Sequence, residues 1–96
     1  MIILISYDVS TETKEGRNRL RRVAKTCLNY GQRVQYSVFE CQVDTMKLAK
    51  LKSQLLTIIN KDQDSLRIYR IIEPLDQNRE EYGKRRAIDF DDTLII

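Results

Sequence analysis

The sequence predicts a small α+β protein, and three of its patterns lead to that fold class. An apolar, β-branched run opens the chain, two stretches of helical periodicity follow, and strand-like stretches lie between and after the helices. The order is therefore strand, helix, two strands, helix, strand. Few folds accommodate this order, and the best match is the ferredoxin-like sandwich, in which two helices cover one face of a four-stranded antiparallel sheet.

The first two elements are an opening strand and an amphipathic helix. Residues 2–7 form a continuous apolar run typical of a buried central strand, and Asp8 follows them directly. A helix is predicted from Arg17 to Tyr30, with Gly31 as its C-terminal cap. Its apolar stripe consists of Leu20, Val23, Ala24, Cys27 and Leu28.

A hairpin and a second helix come next. Alternation at period two predicts strand over 32–43, split by a tight turn near 35–37. Asp44 is the predicted N-cap of a helix that runs to Asn60. The stripe of this helix is Leu48, Leu51, Leu55 and Ile58, widened by Ala49, Leu56 and Ile59.

The last predicted strand, 65–72, completes a ferredoxin-like domain over 1–73. Residues 74–96 form a polar C-terminal extension that ends in the apolar, β-forming segment Thr93–Ile96. A short apolar terminus frays unless it pairs with something. We therefore expect it to add a strand to a sheet edge, most usefully in the partner subunit of a homodimer.

The composition excludes several chemistries. The 96 residues contain no His, two Cys without a CxxC pair and three scattered Gly. These counts exclude His-dependent nucleophilic catalysis, a structural zinc site and a Gly-rich nucleotide loop. The opening segment lacks a basic region and its apolar run is short, so neither a signal peptide nor a membrane span is predicted. With cysteine so sparse, we expect a cytoplasmic protein.

The charge is unevenly distributed along the chain. Residues 1–72 contain 13 Lys/Arg and 7 Asp/Glu, a net charge of +6, whereas residues 73–96 contain 4 and 7, a net charge of −3. A basic body with an acidic tail favours an anionic partner, and nucleic acid is the usual one.

Asp8, at the carboxyl end of the first strand, is the candidate metal ligand. Mg²⁺ is commonly held by one or two carboxylates together with water and substrate phosphates. A two-fold dimer with this loop at its axis would supply two such carboxylates. The alternative is a turn or cap aspartate that begins the loop, and the residues alone do not decide between the two.

Two groups of residues are candidates for binding nucleic acid. Arginines at the start of the first helix, Arg17 and Arg19, lie nearest the Asp8 loop and are candidate phosphate ligands. Arg21, Arg22 and Lys25 are better explained as a solvated helix face. The hairpin contributes Arg33, Tyr36, Ser37 and Phe39, which could hold phosphates or stack bases, although core packing is the better explanation for Phe39.

Three segments of the chain form a recognisable set: Tyr7-Asp8, Arg17-Asn-Arg19-Leu and Arg33-Val-Gln-Tyr-Ser-Val-Phe-Glu40. Together they resemble the CRISPR-associated protein 2 family, the small adaptation proteins of prokaryotic antiviral immunity. The resemblance implies a ferredoxin-like homodimer that binds double-stranded DNA as the bridging component of a spacer-integration complex with the family's integrase. It further implies, as described for some members, a magnesium-dependent endonuclease of single-stranded RNA or double-stranded DNA.

The resemblance also implies roles for individual residues. Asp8 matches the metal-binding, catalytic aspartate. The positions linked to substrate binding or activity are Tyr7, Arg17, Arg19, Arg33, Ser37 and Phe39. Two alternatives to a nuclease of the adaptation complex stay open: a non-catalytic DNA-bridging scaffold, and a toxin-like ribonuclease that acts alone.

Overall fold

The computed structural model describes residues 1–83, which form a four-stranded antiparallel sheet and two α-helices. The strand order is β2-β3-β1-β4, which confirms the predicted ferredoxin-like topology. No helix among these residues is both long and apolar enough to cross a bilayer. The elements are β1 (Ile2–Asp8), α1 (Lys14–Leu28), β2 (Gly31–Gln35), β3 (Val38–Gln42), α2 (Thr45–Ile58), β4 (Ser65–Ile71) and a short 3₁₀ turn (Leu75–Gln77).

The two faces of the sheet differ in what covers them. Along β1, Ile3, Ile5 and Tyr7 are buried beneath the helices, whereas the even-numbered positions from Ile2 to Asp8 point to the opposite side. We call that opposite side, which neither helix covers, the open face. Asp8 is the exposed last residue of β1 on this face.

The core lies between the sheet and the helices. The predicted stripe of α2 is confirmed, because Leu48, Leu51, Leu55 and Ile58 are its buried residues. The wider stripe is wrong at Ala49 and Leu56, which are exposed, whereas Ile59 is half-buried and packs against the core. A helix that lies on a sheet with one side free needs only a narrow apolar stripe.

Two cysteine thiols lie within this core. Cys27 on α1 and Cys41 on β3 are both unpaired and almost completely buried. Burial raises the pKa of Cys27 to about 12 and that of Cys41 to about 11. Both side chains therefore act as small apolar residues in the core.

The boundaries of α1 differ from the prediction at both ends. The helix begins at Lys14, not Arg17, and the Thr13 hydroxyl caps it by accepting from the N–H of Gly16 (3.0 Å). The first turn lacks large apolar residues, so apolar periodicity alone misses it. The predicted cap Gly31 is also wrong: Asn29 caps the helix, and Gly31 is the first residue of β2.

Gly31 is required by close contact between strands. A Cβ atom at this position would lie 2.1 Å from the carbonyl oxygen of Glu40 and 2.6 Å from the Cα of Cys41. Both contacts involve the backbone of β3, so no side chain can move aside to relieve them.

Of the remaining predictions on element boundaries, some are confirmed or corrected by the structure and others lie beyond the residues it describes. The hairpin turn and the Asp44 cap are confirmed, with Asp44 accepting from the N–H of Lys47 (2.7 Å), while α2 ends at Ile58 and not at Asn60. The proposed terminal strand Thr93–Ile96 lies outside the described residues, so pairing across a dimer stays a prediction, as does the division at 73/74.

We predict that Gly31→Ala destabilises the protein by about 1–3 kcal/mol, because the added methyl group forces β2 away from β3. Urea denaturation monitored by circular dichroism measures this change. Gln32→Ala, at the next and exposed position of the same strand, is the control and should have little effect. Equal stability of the two variants would contradict the contact described here.

Candidate nucleic-acid and metal site

Three chain segments meet where β1 ends. Asp8 pairs with Ser65 at the start of β4, and the N–H of Tyr7 donates to the carbonyl oxygen of Ser37 in the β2–β3 turn (3.1 Å). Backbone pairing on both sides therefore places the end of β1 between Ser65 and Ser37. We call Asp8, Ser65 and Ser37 the Asp8 edge.

The Asp8 carboxylate is exposed and available. Among residues 1–83 its side chain forms neither a hydrogen bond nor an ion pair. The described part of the chain also contains no group of three or more acidic or thiol side chains placed to hold a metal. Within residues 1–83, Asp8 therefore suits Mg²⁺ only as one member of a larger ligand set.

A buried cluster lies on the other side of the strand from Asp8. Tyr7 and Phe39 stack with ring centroids 6.2 Å apart, and the guanidinium carbon of Arg33 lies 5.2 Å from the centre of the Phe39 ring. A cation over an aromatic ring is stabilised by about 0.5–2 kcal/mol, more when it is desolvated. The cluster thus joins the hairpin to the end of β1.

Burial changes how three of the predicted nucleic-acid ligands can act. Tyr7, Arg33 and Phe39 are 4%, 6% and 0% exposed. Phe39 is a core residue, as the packing alternative favoured, and direct contact with nucleic acid would require it to leave the core. All three lie where they can position the Asp8 edge.

The charge of Arg33 has no carboxylate partner in the described part of the chain. Its Nε is a buried donor without a hydrogen-bond partner among these residues. The Phe39 ring lies against the guanidinium, stabilises its charge and holds Arg33 inward.

Tyr7 is protonated throughout the physiological pH range. Burial raises the pKa of its hydroxyl to about 12, with a smaller contribution from Cys27, and the nearby positive charge of Arg33 opposes the rise. The hydroxyl donates a long hydrogen bond to the carbonyl oxygen of Tyr36 (3.4 Å). Tyr7 is therefore a positioning group and is unsuited to accept a proton.

Arg19 is held by a buried carboxylate that the sequence analysis missed. Its Nε donates to Asp64 (2.8 Å), and the Asp64 side chain is completely buried. Asp64 also accepts from the N–H groups of Ser10 (3.0 Å) and Asn60 (2.8 Å). This clamp ties the loop after Asp8 to the loop before β4, and it engages the guanidinium predicted to bind phosphate.

The protonation of Asp64 reflects these contacts. Burial alone would raise the pKa of its carboxyl, but the hydrogen bonds from Arg19, Asn60 and Ser10 outweigh burial and hold the pKa below its usual value. The partners of Asp64 lie far away in sequence, and an aspartate in a polar loop carries no local sign of them.

Arg17 and Ser37 remain near the surface. The Arg17 guanidinium is exposed and donates to the carbonyl oxygen of Thr11 (3.2 Å), and Ser37 is half-buried in the hairpin turn. A further cation, Arg67, lies on the open face because it pairs with Ser6, two residues from Asp8. Alternation along β4 could have identified Arg67, had the sheet register been known.

Comparison with known proteins identifies the family to which this chain belongs. Residues 1–79 match the family described as CRISPR associated protein Cas2. The chain belongs to the Cas2 family. It is 53% identical over 96 residues to the CRISPR-associated endoribonuclease Cas2 1 of Moorella thermoacetica, with both chains covered completely.

Two further comparisons support the family and the fold. The CRISPR-associated endonuclease Cas2 of Halalkalibacterium halodurans is 50% identical over 96 residues, again with both chains covered completely. The crystal structure of Streptococcus pyogenes Cas2 at pH 6.5 matches with a TM-score of 0.78 at 47% identity, covering 86% of this chain and all of that one. The predicted family and fold are therefore both confirmed.

Because the pKa of Asp64 is lowered in the folded protein, we predict that the stability contributed by this carboxylate depends on pH. Its stabilising effect is fully present above the unfolded pKa of about 3.9, and is lost as the pH falls through the lower native pKa. The Asp64→Asn variant should therefore be less stable than the wild type at pH 7. The gap between their free energies of unfolding should narrow below about pH 4. Urea unfolding at a series of pH values measures the gap; a gap that stays constant to pH 2 would contradict the prediction. Asp62→Asn, in the same loop, is the control.

Arg17 and Arg19 should respond differently to substitution. Arg19→Ala leaves the buried Asp64 without its guanidinium, so we expect the melting temperature to fall by about 5 °C or more. Arg17→Ala should leave the melting temperature unchanged but weaken nucleic-acid binding, because its guanidinium faces solvent. Calorimetry and fluorescence anisotropy measure the two effects. An Arg19→Ala protein as stable as the wild type would show that the clamp contributes nothing.

Proposed function

We propose that this Cas2-family protein is a homodimeric, magnesium-dependent endonuclease of CRISPR adaptation. The observation that carries the proposal is the exposed Asp8 carboxylate, which ends the central strand on the open face and has no partner among the described side chains. A carboxylate in this setting is free to bind a cation. The Asp64–Arg19 clamp and the Tyr7 cluster fix its position from two sides.

The open face supports a dimer. It presents apolar side chains that neither helix covers, with Leu4 in the middle of the central strand and Tyr69, 45% exposed, beside it. The other apolar members of this surface are Ile2, Val38 and Ile71. Packing two such faces about a two-fold axis would bury this surface, and an axis near β1 would bring the two Asp8 residues together.

The residues fit Mg²⁺ under this arrangement. The Asp8 carboxylates of the two chains would hold the ion, and their mutual repulsion would itself favour a cation between them. When bound, Mg²⁺ supplies stabilisation for the negative charge that develops during phosphodiester hydrolysis.

The chain's own side chains would bind and orient the substrate. Arg17 and Arg67 are exposed guanidiniums near the Asp8 edge, suited to phosphate oxygens. The sequence contains no His, and Tyr7 retains its proton. A carboxylate or solvent therefore remains as the acceptor of the proton released by the attacking water.

The relatives point to nucleic acid as substrate without narrowing it to one type. The Moorella protein is named an endoribonuclease and the Halalkalibacterium protein an endonuclease. We propose that this chain acts on single-stranded RNA or double-stranded DNA in the cytoplasm. We further propose that it supports spacer integration with the family's integrase.

A second candidate function is a DNA-bridging scaffold without catalysis. It is favoured by the lone carboxylate of the Asp8 edge in the described part of the chain, and by the burial of Arg33 and the engagement of Arg19. In this case the dimer would bind duplex backbone, and binding would depend steeply on salt and little on sequence.

Asp8→Asn separates the two functions. We expect metal-dependent cleavage of labelled RNA or duplex DNA to fall by about 100-fold or more, because the change removes the ligand charge and keeps the side-chain shape. Duplex affinity should be retained. Cleavage is measured on gels with and without Mg²⁺, and the oligomeric state by analytical ultracentrifugation.

Asp76→Asn is the matched control, since Asp76 is an exposed aspartate in the turn beyond β4. It should cleave like the wild type. Cleavage that survives Asp8→Asn would place the activity elsewhere. Duplex binding without cleavage by any of the three proteins would favour the scaffold, and a monomer would rule out the shared site.

A further inference from the structure

The two helices form a strongly basic layer. Six Lys/Arg lie on α1 and three on α2, whereas Glu15 is the one acidic residue within the two helices. Basic residues at spacings of three and four repel one another on a helix surface, by about 0.2–0.5 kcal/mol per pair. The layer is thus a concentrated positive surface on the side of the sheet opposite the open face.

Some of these cations are engaged within the chain and others are free. Arg19 is held by Asp64, and Arg21 donates to the side-chain oxygen of Asn18. Arg22 and Lys25 are exposed, and within residues 1–83 neither has an acidic side chain within 4.0 Å. Their charge is not neutralised by the described part of the protein.

A groove between the helices gathers these free cations. It has a volume of about 440 Å³, and its polar lining comes from both helices. Around the two cations stand hydroxyl and amide groups: Thr26 and Asn29 on the α1 side, and Gln54 and Thr57 on α2. The Gln54 oxygen accepts from the Tyr30 hydroxyl (3.1 Å), which leaves its NH₂ group as a donor.

We propose that this groove binds the phosphate backbone of double-stranded nucleic acid, at a site separate from the Asp8 edge. The proposal rests on the proposed function as far as the ligand is nucleic acid, and it assigns a surface and residues that the function itself does not require. Arg22 and Lys25 would neutralise phosphates. Thr26 and the side-chain amides of Asn29 and Gln54 would donate to phosphate oxygens. The Thr57 hydroxyl already donates to the carbonyl oxygen of Gln54 (2.7 Å) and shapes the wall of the groove.

The lining favours a duplex over a single strand. None of the residues that line the groove is aromatic, so it offers no platform on which unpaired bases could stack. Cations with amide and hydroxyl donors instead match a regular row of phosphates. We therefore expect the groove to bind without regard to base sequence.

The position of the groove allows both sites to be occupied together. The helical layer lies on one face of the sheet, and Asp8 lies at the edge of the other face. A duplex held by the groove would leave the open face accessible to a second chain. Binding at the groove and chemistry at the Asp8 edge should therefore be lost independently.

The test is the double variant Arg22→Ala with Lys25→Ala, titrated with a fluorescent 30-base-pair duplex at several salt concentrations. We expect affinity to fall about tenfold at low salt. We also expect the slope of log affinity against log salt to fall by about 2, because each neutralised phosphate contributes about 0.9. Both side chains are exposed, so the circular dichroism spectrum should be unchanged.

The control is Lys47→Ala with Lys61→Ala, which removes the same charge from exposed positions outside the groove. It should retain most of the affinity and slope. An equal loss in both double variants would show that net charge binds the duplex, and would overturn the proposal. Unchanged duplex binding by the groove variant would overturn it as well.

Two further measurements separate the ligand class and the proposed function. A polyglutamate peptide bound as tightly as the duplex, with the same loss in the groove variant, would overturn the assignment to nucleic acid. Asp8→Asn tests the catalytic proposal alone, because that side chain is not part of the groove. Loss of cleavage in Asp8→Asn with intact duplex binding, and the reverse pattern in the groove variant, would support two separate sites.

Discussion

The pairing of β1 with strands on both sides is the constraint on which the rest of the structure depends. Because β1 is central, its register to β3 and β4 decides which side chains enter the core and which reach the open face. Tyr7 and Asp8 are adjacent in sequence and point to opposite sides. A slip of one residue would bury the carboxylate and expose the tyrosine, so the core and the candidate site depend on the same hydrogen bonds.

Of the arginines predicted to bind nucleic acid, two stabilise the fold and one lies at the surface. Arg33 is buried against Phe39, and Arg19 is bound to Asp64, so both charges stabilise the loops and hairpin around Asp8. Arg17 and the outer face of α1 keep their charges in solvent. A substitution at Arg19 or Arg33 can therefore impair function through the fold alone, and loss of activity would not by itself identify a phosphate ligand.

The sequence was sufficient to predict the topology and most of the core. The apolar run of β1, the alternation in β3 and the stripe of α2 are local patterns that predict these elements, and the structure contains all three. Local patterns in the sequence do not predict contacts between distant segments, such as that of Asp64 with Arg19. The start of α1 was missed because its cap is a hydroxyl followed by polar residues, and Gly31 was misassigned because crowding by β3 leaves no mark on β2.

The two core thiols can be used to measure how often the core of this protein opens to solvent. Cys27 and Cys41 are shielded from solvent, and burial keeps both in the unreactive thiol form. A thiol-specific reagent can modify them only when the layer between helices and sheet opens. The rate of modification in the native state therefore measures how often the layer opens, without any label being introduced.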